Sequence, residues 1–396
     1  MFHELVSRNE DIRRLLEKGY AIAFDDGYLV VRDIPYLDSE KRLQIGAIVT
    51  KLTFIDKHRI DRPDDHQIFF CGSHPHGLDG KPIPNLGGGS ATLALGRKDV
   101  TVQRRFSNKP VSSKPDAGFT NFFDKIESYV TIISGPAQEL HGATPLTFRV
   151  DEAAVAGSVF KFHDTLTSRA EIGDLVEKLK NDVIAIVGLG GTGAYILDFM
   201  VKVPVREIRA FDPDTFHVHT AFRSPGRLEE LDLGKTKGEV YRLRYENFRS
   251  GLTVQPRFID AASADAVDGV TLAFVCVDKG SSRSAIFDLL ISKKIPFIDV
   301  GMGLDRKQGA LNGMLRTTHY SVERAAEMRA RQLAEMADAP DDLYLTNIQT
   351  AEINALNACI AVIKYKQLRG FYVDADVFNH MLFGVGELQT FGESFQ

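Results

Sequence analysis

Residues 187–194 read VGLGGTGA, between the apolar run VIAIV at 183–187 and the stretch AYILDFMVKV at 194–203. A buried strand that ends in a glycine turn and opens a helix is the first step of a nucleotide-binding βα unit. Glycine permits the sharp turn, backbone N–H groups come close to phosphate oxygens, and the helix N-terminus favours negative charge. Gly188, Gly190, Gly191 and Gly193 are therefore the candidate phosphate-cradling positions. The same loop serves the pyrophosphate of NAD or the triphosphate of ATP, so the choice depends on residues further along the chain.

Outward from the loop, apolar runs and helical segments alternate from about residue 168. AEIGDLVEKL precedes the loop as a helix. Strand REIRAFD, helical KTKGEVYRLRYENF, strand LTVQPRFI, the run TLAFVCVD, helix SSRSAIFDLLISKK and strand PFIDVG follow it. Such alternation predicts an α/β fold with a Rossmann-like, doubly wound, mainly parallel sheet. Beyond it come a strand in GALNGMLRTTH, a charged helix VERAAEMRARQLAEMA, and a long helix from about residue 348 to 368. A final segment rich in Phe and Gly is expected to close the sheet or pack across it.

Residues 1 to 165 have a different texture. YLVVRDIPYL, HQIFF and SATLALG are short apolar runs separated by Gly, Pro and Asp turns. TNFFDKIESYVTIISGPAQEL is the clearest helix there, with Phe122, Phe123, Ile126, Tyr129 and Ile132 or Ile133 on one face. The expectation is a smaller mixed, strand-containing domain over 1–165, a boundary within 160–167, and the nucleotide domain over 166–396. A chain of 396 residues is long enough for two cores.

Composition narrows the partners. A formal net charge of −5 gives no support to nucleic acid or an anionic membrane as the main partner. No apolar run approaches transmembrane length, and the N-terminus has neither the apolar core nor the cleavage site of a secretory signal. Cys71, Cys276 and Cys359 are far apart, which argues against disulfides and for a reducing, cytoplasmic setting.

The acids and cations after the loop begin to separate the nucleotides. Asp212, in AFDPD, stands at the carboxyl end of a strand, where a carboxylate can accept ribose hydroxyls; this fits NAD and ATP equally. Asp214 is a second acid of that loop or a turn residue. Arg223 follows Asp212 by eleven residues, LGKTKG supplies Lys235 and Lys237, and VCVDKGSSR places Asp278 and Arg283 after another strand. Cations and a second carboxylate around a phosphate loop point to a triphosphate with a magnesium ion.

In this order the residues resemble the ubiquitin-activating superfamily that includes ThiF, MoeB and HesA proteins. The resemblance covers about residues 168 to 368: Gly-x-Gly-Gly-x-Gly at 188–193, Asp-x-Asp at 212–214, Arg223, Lys237, and Asp278 with Arg283. The step from Asp212 to Arg223 is also the family's spacing. What it implies is adenylation: the C-terminal carboxylate of a ubiquitin-like protein attacks the α-phosphate of ATP and releases pyrophosphate. By analogy Asp212 binds ribose, Arg223 and Lys237 hold the phosphates, and Asp278 holds Mg2+. Arg169, in TSRAE, is similar to the family's arginine segment and would reach into the site of a partner subunit in a homodimer. The first half resembles the domain of unassigned function that precedes some bacterial ThiF-type domains, on FSNKP and SYVTIISGPAQ. It is expected to bind a partner, either the ubiquitin-like protein or a conjugating-enzyme-like protein. The alternatives are an NAD(P)-dependent oxidoreductase on the same loop and a catalytically degenerate nucleotide-binding scaffold.

The chain departs from the family in two places. TAFRS puts Thr220 and Ser224 where other polar partners are usual, and the crossover stretch MADAPDDLYLTNIQ has no cysteine to receive an acyl group. Cys276 and Cys359 read as buried structural residues. Transfer to a hydroxyl (Thr317, Thr318, Ser321 or Thr346), direct transfer, or a stop at the adenylate all remain open. In CGSHPHGLDG, Cys71, His74 and His76 have metal-compatible chemistry, but a strand end and turn is the simpler account.

Overall fold

The structure is a computed structural model that describes residues 2–84, 86–109, 118–149, 158–162, 164–170, 172–307, 309–338 and 348–394. The chain divides into two compact units, residues 1–173 and 174–396.

The first unit begins with helices α1 (Phe2–Arg8) and α2 (Glu10–Lys18). Ile12, Leu15 and Leu16 of α2 are buried, and Gly19 ends the helix at φ 112°, its N–H bonded to the Leu16 carbonyl. Strands β1 (Ile22–Asp25), β2 (Tyr28–Leu37), β3 (Leu43–Lys51), β4 (Gln67–Cys71), β5 (Gly89–Ser90) and β6 (Arg104–Ser107) form an antiparallel sheet in the order β1-β2-β3-β4-β6-β5. Helix α3 (Phe122–His141) is capped by the Asn121 side chain, which accepts from the Asp124 N–H. It lays Phe122, Ile126, Tyr129 and Ile133 on one sheet face. SATLALG is not the expected strand. Only Gly89 and Ser90 pair, and Leu93 and Leu95 instead join Val100 and Val102 over the second face, so that run is apolar because it covers the sheet. The unit ends with α4 (Thr165–Arg169). Burial pushes the Cys71 thiol up to about 11, and the described residues contain no cluster of three metal-compatible donors.

The second unit contains α5 (Gly173–Glu177, its first residue in the boundary), β7 (Val183–Val187), α6 (Gly191–Met200), β8 (Glu207–Phe211), α7 (Val218–Ala221), α8 (Lys237–Tyr245), β9 (Leu252–Gln255), β10 (Leu272–Val275), α9 (Gly280–Ser292), β11 (Phe297–Lys307), β12 (Ala310–Tyr320), α10 (Ala325–Ala330), α11 (Ala351–Leu368), β13 (His380–Gly384) and β14 (Gln389–Glu393). The eight strands are ordered β14-β13-β12-β11-β10-β7-β8-β9. Strands β9, β8, β7, β10 and β11 are parallel; β12, β13 and β14 add antiparallel at one edge, so the last segment extends the sheet. Every residue of β7 is buried, as a parallel strand covered on both faces must be. One face packs on α6, α8 and α11 through Ile196, Val240 and Ala361, and the other on α9 and α10 through Phe287 and Met328.

Two expected helices are shorter than their patterns. Helix α5 buries no residue, so nothing repays extending it. The charged segment 322–337 is α-helical only over α10. Beyond it the Glu335 carbonyl accepts from Arg283, and the Asp338 carboxylate accepts from the Ser281 N–H and hydroxyl at 2.9 and 2.7 Å. These bonds draw the chain across the start of α9 in place of another helical turn.

His319 of β12 is buried, and burial, followed by the charges of Lys364 and Arg369, pushes its imidazole down from 6.5 to about 4. The folded state thus resists a proton that the unfolded chain accepts, so stability is complete above pH 6.5 and falls as the pH drops toward 4. By pH 5 the loss attributable to this group is about 2 kcal/mol. Denaturant unfolding at pH 7.5 and pH 5 should therefore show wild type losing about 2 kcal/mol more than His319→Gln; equal losses would contradict the assignment. Among the described residues, no helix is long and apolar enough to cross a membrane.

Candidate functional site

The carboxyl ends of β8, β7 and β10 and the middle of β11 open into a cleft of about 1350 Å3. Gly188 makes the turn after β7 at φ 93°, and its N–H donates to the Phe211 carbonyl at 2.8 Å. The other loop glycines divide by what surrounds them. A Cβ on Gly193 would lie 1.9 Å from the Gly188 carbonyl oxygen, and one on Gly191 would lie 2.2 Å from the Asn354 amide. A Cβ on Gly190 would meet nothing within 4 Å. Gly191 and Gly193 thus serve close packing within the chain, and Gly190 leaves the cleft side of the loop open.

Asp212, one residue past β8, is only 4% exposed. One carboxylate oxygen accepts the Leu189 N–H at 2.6 Å and the other accepts the Asp214 N–H at 2.9 Å. Lys237, first residue of α8, sends its Nζ to Asp212 at 3.2 Å and to Asp214 at 2.8 Å. Thr236 caps α8, with a reciprocal bond between Glu239 and the Thr236 N–H. The glycine loop, the acidic turn and the lysine are thereby stitched into one unit. Asp214 is its exposed carboxylate.

Arg223 follows α7 and lines the cleft, its Nε buried without a hydrogen-bond partner among the described residues. Asp278 follows β10, is exposed, and likewise has no partner among them. The sequence candidates Gly188, Gly190, Gly191, Asp212, Asp214, Arg223, Lys237 and Asp278 therefore meet in one cavity. Gly193 lies behind the loop. Lys235 is not among the lining residues, because the extended cap residue Thr236 stands between it and Lys237 and the two neighbours diverge. Arg169 ends α4, and its side chain is outside the described residues, as is Thr346. Thr317 and Thr318 are buried, the latter paired with His380.

Two site residues, Asn354 and Asn357, were not among the sequence candidates. Asn354 of α11 is fully buried; it accepts from Thr192 Oγ1 at 2.8 Å and donates to the Arg223 carbonyl at 3.3 Å, tying the glycine loop to the arginine segment. Asn357, one turn on, donates to the Gly301 carbonyl at 3.1 Å. Two asparagines three residues apart in an apolar helix were the available signal. Arg283 is buried, donating to Asp299 at 3.1 Å and to the Val277 carbonyl, which fixes the turn that carries Asp278. Burial pushes the Cys276 thiol up, away from nucleophilic use.

The arrangement fits an anionic nucleotide. Lys237 lines the cleft beside the glycine loop, the orphaned Arg223 Nε needs an acceptor, and Gly190 leaves room for one. Asp278 fits a magnesium ion that takes most of its ligands from phosphates and water.

A family model described as the ThiF family matches residues 166–378, and one described as a domain of unknown function (DUF6791) matches residues 10–165. Among solved structures, selenomethionine PaaA is 17% identical, with 56% of this chain and 75% of that one covered at a TM-score of 0.41. E. coli MccB is 16% identical, with 56% and 64% covered at 0.44. The E. coli tRNA N6-threonylcarbamoyladenosine dehydratase TcdA is 17% identical, with 52% and 92% covered at 0.40. The chain thus spans slightly less than two thirds of MccB. No curated protein matches it.

Proposed function

Because the chain belongs to the ThiF family, whose members are ATP-dependent adenylating enzymes, we propose that it adenylates the C-terminal carboxylate of a ubiquitin-like protein. The observation that carries this reading is the single cleft that gathers the glycine loop, Asp212, Arg223, Lys237 and Asp278.

In the reaction a carboxylate oxygen attacks the α-phosphorus of ATP, the bond to the pyrophosphate oxygen breaks, and an acyl-adenylate forms. The attacking group is already ionised near pH 7, so the protein's part is positioning and charge stabilisation, with no general base required. Gly190 and the first N–H groups of α6 receive phosphate oxygens. Arg223 supplies its unpaired donor, and Lys237, held in place by Asp212 and Asp214, supplies a fixed positive charge. Asp212 also borders the ribose end. Asp278 would hold Mg2+, which when bound neutralises phosphate charge. Arg169 completes the site of the partner subunit in a homodimer. The first unit, taken as an accessory domain over 1–165, binds the ubiquitin-like protein or a conjugating-enzyme-like protein, and the domain over 166–396 performs the adenylation.

The test is ATP–pyrophosphate exchange with candidate ubiquitin-like proteins. Carboxylate-dependent exchange is expected. Absence of exchange with every candidate, together with tight NAD binding, would overturn the reading.

A further inference from the structure

The far wall of the cleft carries a cation that the nucleotide reading does not use. Arg316 of β12 pairs across the ladder with Gly301 of β11 and Leu382 of β13, and Met314 pairs with Gly303. Directly opposite residues of an antiparallel ladder share a face, so these side chains and glycine gaps form one surface, and all of them line the cleft. Arg316 Nη1 donates to Asp299 at 2.5 Å, and Asp299, fully buried, also accepts from Arg283. The three groups together carry one net positive charge. Arg283 spends the rest of its fork on the carbonyls of Glu335 and Val277. The remaining donors of Arg316 have no partner among the described residues, and its side chain is 15% exposed. The guanidinium lies over Gly301, where a Cβ would come 2.6 Å from Nη2.

We propose that Arg316 is a specificity-determining residue that binds a carboxylate side chain near the C-terminus of the acyl substrate; this rests on the adenylation reading. Register places the site in the substrate. The glycine loop leaves β7, and β10 and β11 separate β7 from β12. At a strand spacing of about 4.8 Å, the Arg316 backbone is about 14 Å from that of β7. An extended peptide rises about 3.3 Å per residue, and the arginine covers part of the gap, so the acid falls about two or three residues before the reacting carboxylate. The apolar neighbours Met314 and Leu382 reduce the competition from water and strengthen the ion pair. Beside the guanidinium, Gly303, where a Cβ would meet nothing within 4 Å, leaves the floor open to an extended chain.

The test uses fluorescent heptapeptides with free C-terminal carboxylates, identical except for Glu or Gln at the third residue from the end. Binding is measured to the full chain saturated with a non-hydrolysable ATP analogue. Wild type is expected to prefer the Glu peptide about tenfold, the worth of a modest charge-assisted hydrogen bond. Arg316→Gln should abolish the preference without changing affinity for the ATP analogue, and Arg316→Lys should retain its direction. Gly301→Ala, which displaces the guanidinium but keeps the charges around Asp299, should also abolish it and guards against misfolding of Arg316→Gln. No preference in wild type, a preference that survives both Arg316→Gln and Gly301→Ala, or loss of affinity for the analogue in Arg316→Gln would each overturn the proposal. Failure of wild type to bind the analogue at all would instead count against the adenylation reading.

Discussion

Asp278→Ala is expected to lower ATP–pyrophosphate exchange by about a thousandfold, at the upper end of what one preorganised electrostatic group contributes, while stability changes by less than about 0.5 kcal/mol. The two halves of that result have separate causes. Asp278 is exposed and makes no hydrogen bond among the described residues, so removing it leaves nothing buried and unpaired. Its turn is held from behind by Arg283 on the Val277 carbonyl, and that bond does not involve the carboxylate. Magnesium is commonly held by only one or two protein carboxylates plus phosphates and water, so losing this one removes a large share of the protein's hold. Raising the magnesium concentration should recover part of the exchange. Exchange within fivefold of wild type, in a protein that exchanges at all, would remove Asp278 from the metal role.

Lys237→Met should lose on both counts. The lysine is buried against Asp212, and removing one member of a buried pair typically costs about 3–5 kcal/mol. Asp212 keeps two backbone N–H donors, so a lower figure of about 2–3 kcal/mol is expected, which is a fall of roughly 5–10 °C in Tm for a domain this size. Exchange should drop by about a hundredfold or more. The double variant Lys237→Met with Asp212→Asn separates the effects. Neutralising the stranded acid should restore part of the Tm, but the missing phosphate charge stays missing and exchange stays low. If exchange returns together with stability, Lys237 acts only by holding the loop.

The cleft was legible in the sequence to the extent that its chemistry sits at strand ends. VIAIV and LAFV are buried on both faces, so they appear as unbroken apolar runs, REIRAF is partly covered and alternates, and the residues after each of these parallel strands must emerge at the same edge of the sheet. Gly188, Asp212 and Asp278 were found by that rule. Arg316 was not, because it lies on an antiparallel strand whose side chains alternate, and nothing local says which face meets the cleft. The shortened helices escaped for a related reason. The charged pattern at 322–337 is helical in itself, but Arg283 and Ser281, more than forty residues earlier, compete for its carbonyl and carboxylate groups.

By itself the sequence determined the alternating architecture of the second unit, the glycine turn, and the order of acids and cations along the chain. These depend on local periodicity and on residues whose backbone conformation admits few substitutes. Only the tertiary structure decided how each group is used. It divided the loop glycines between internal packing and an open cleft, paired Lys237 with both acids, left the Arg223 Nε unsatisfied, and set Arg316 on the far wall. Each of those outcomes depends on atoms brought together across tens to hundreds of residues, and burial and hydrogen-bond satisfaction are properties of that assembly.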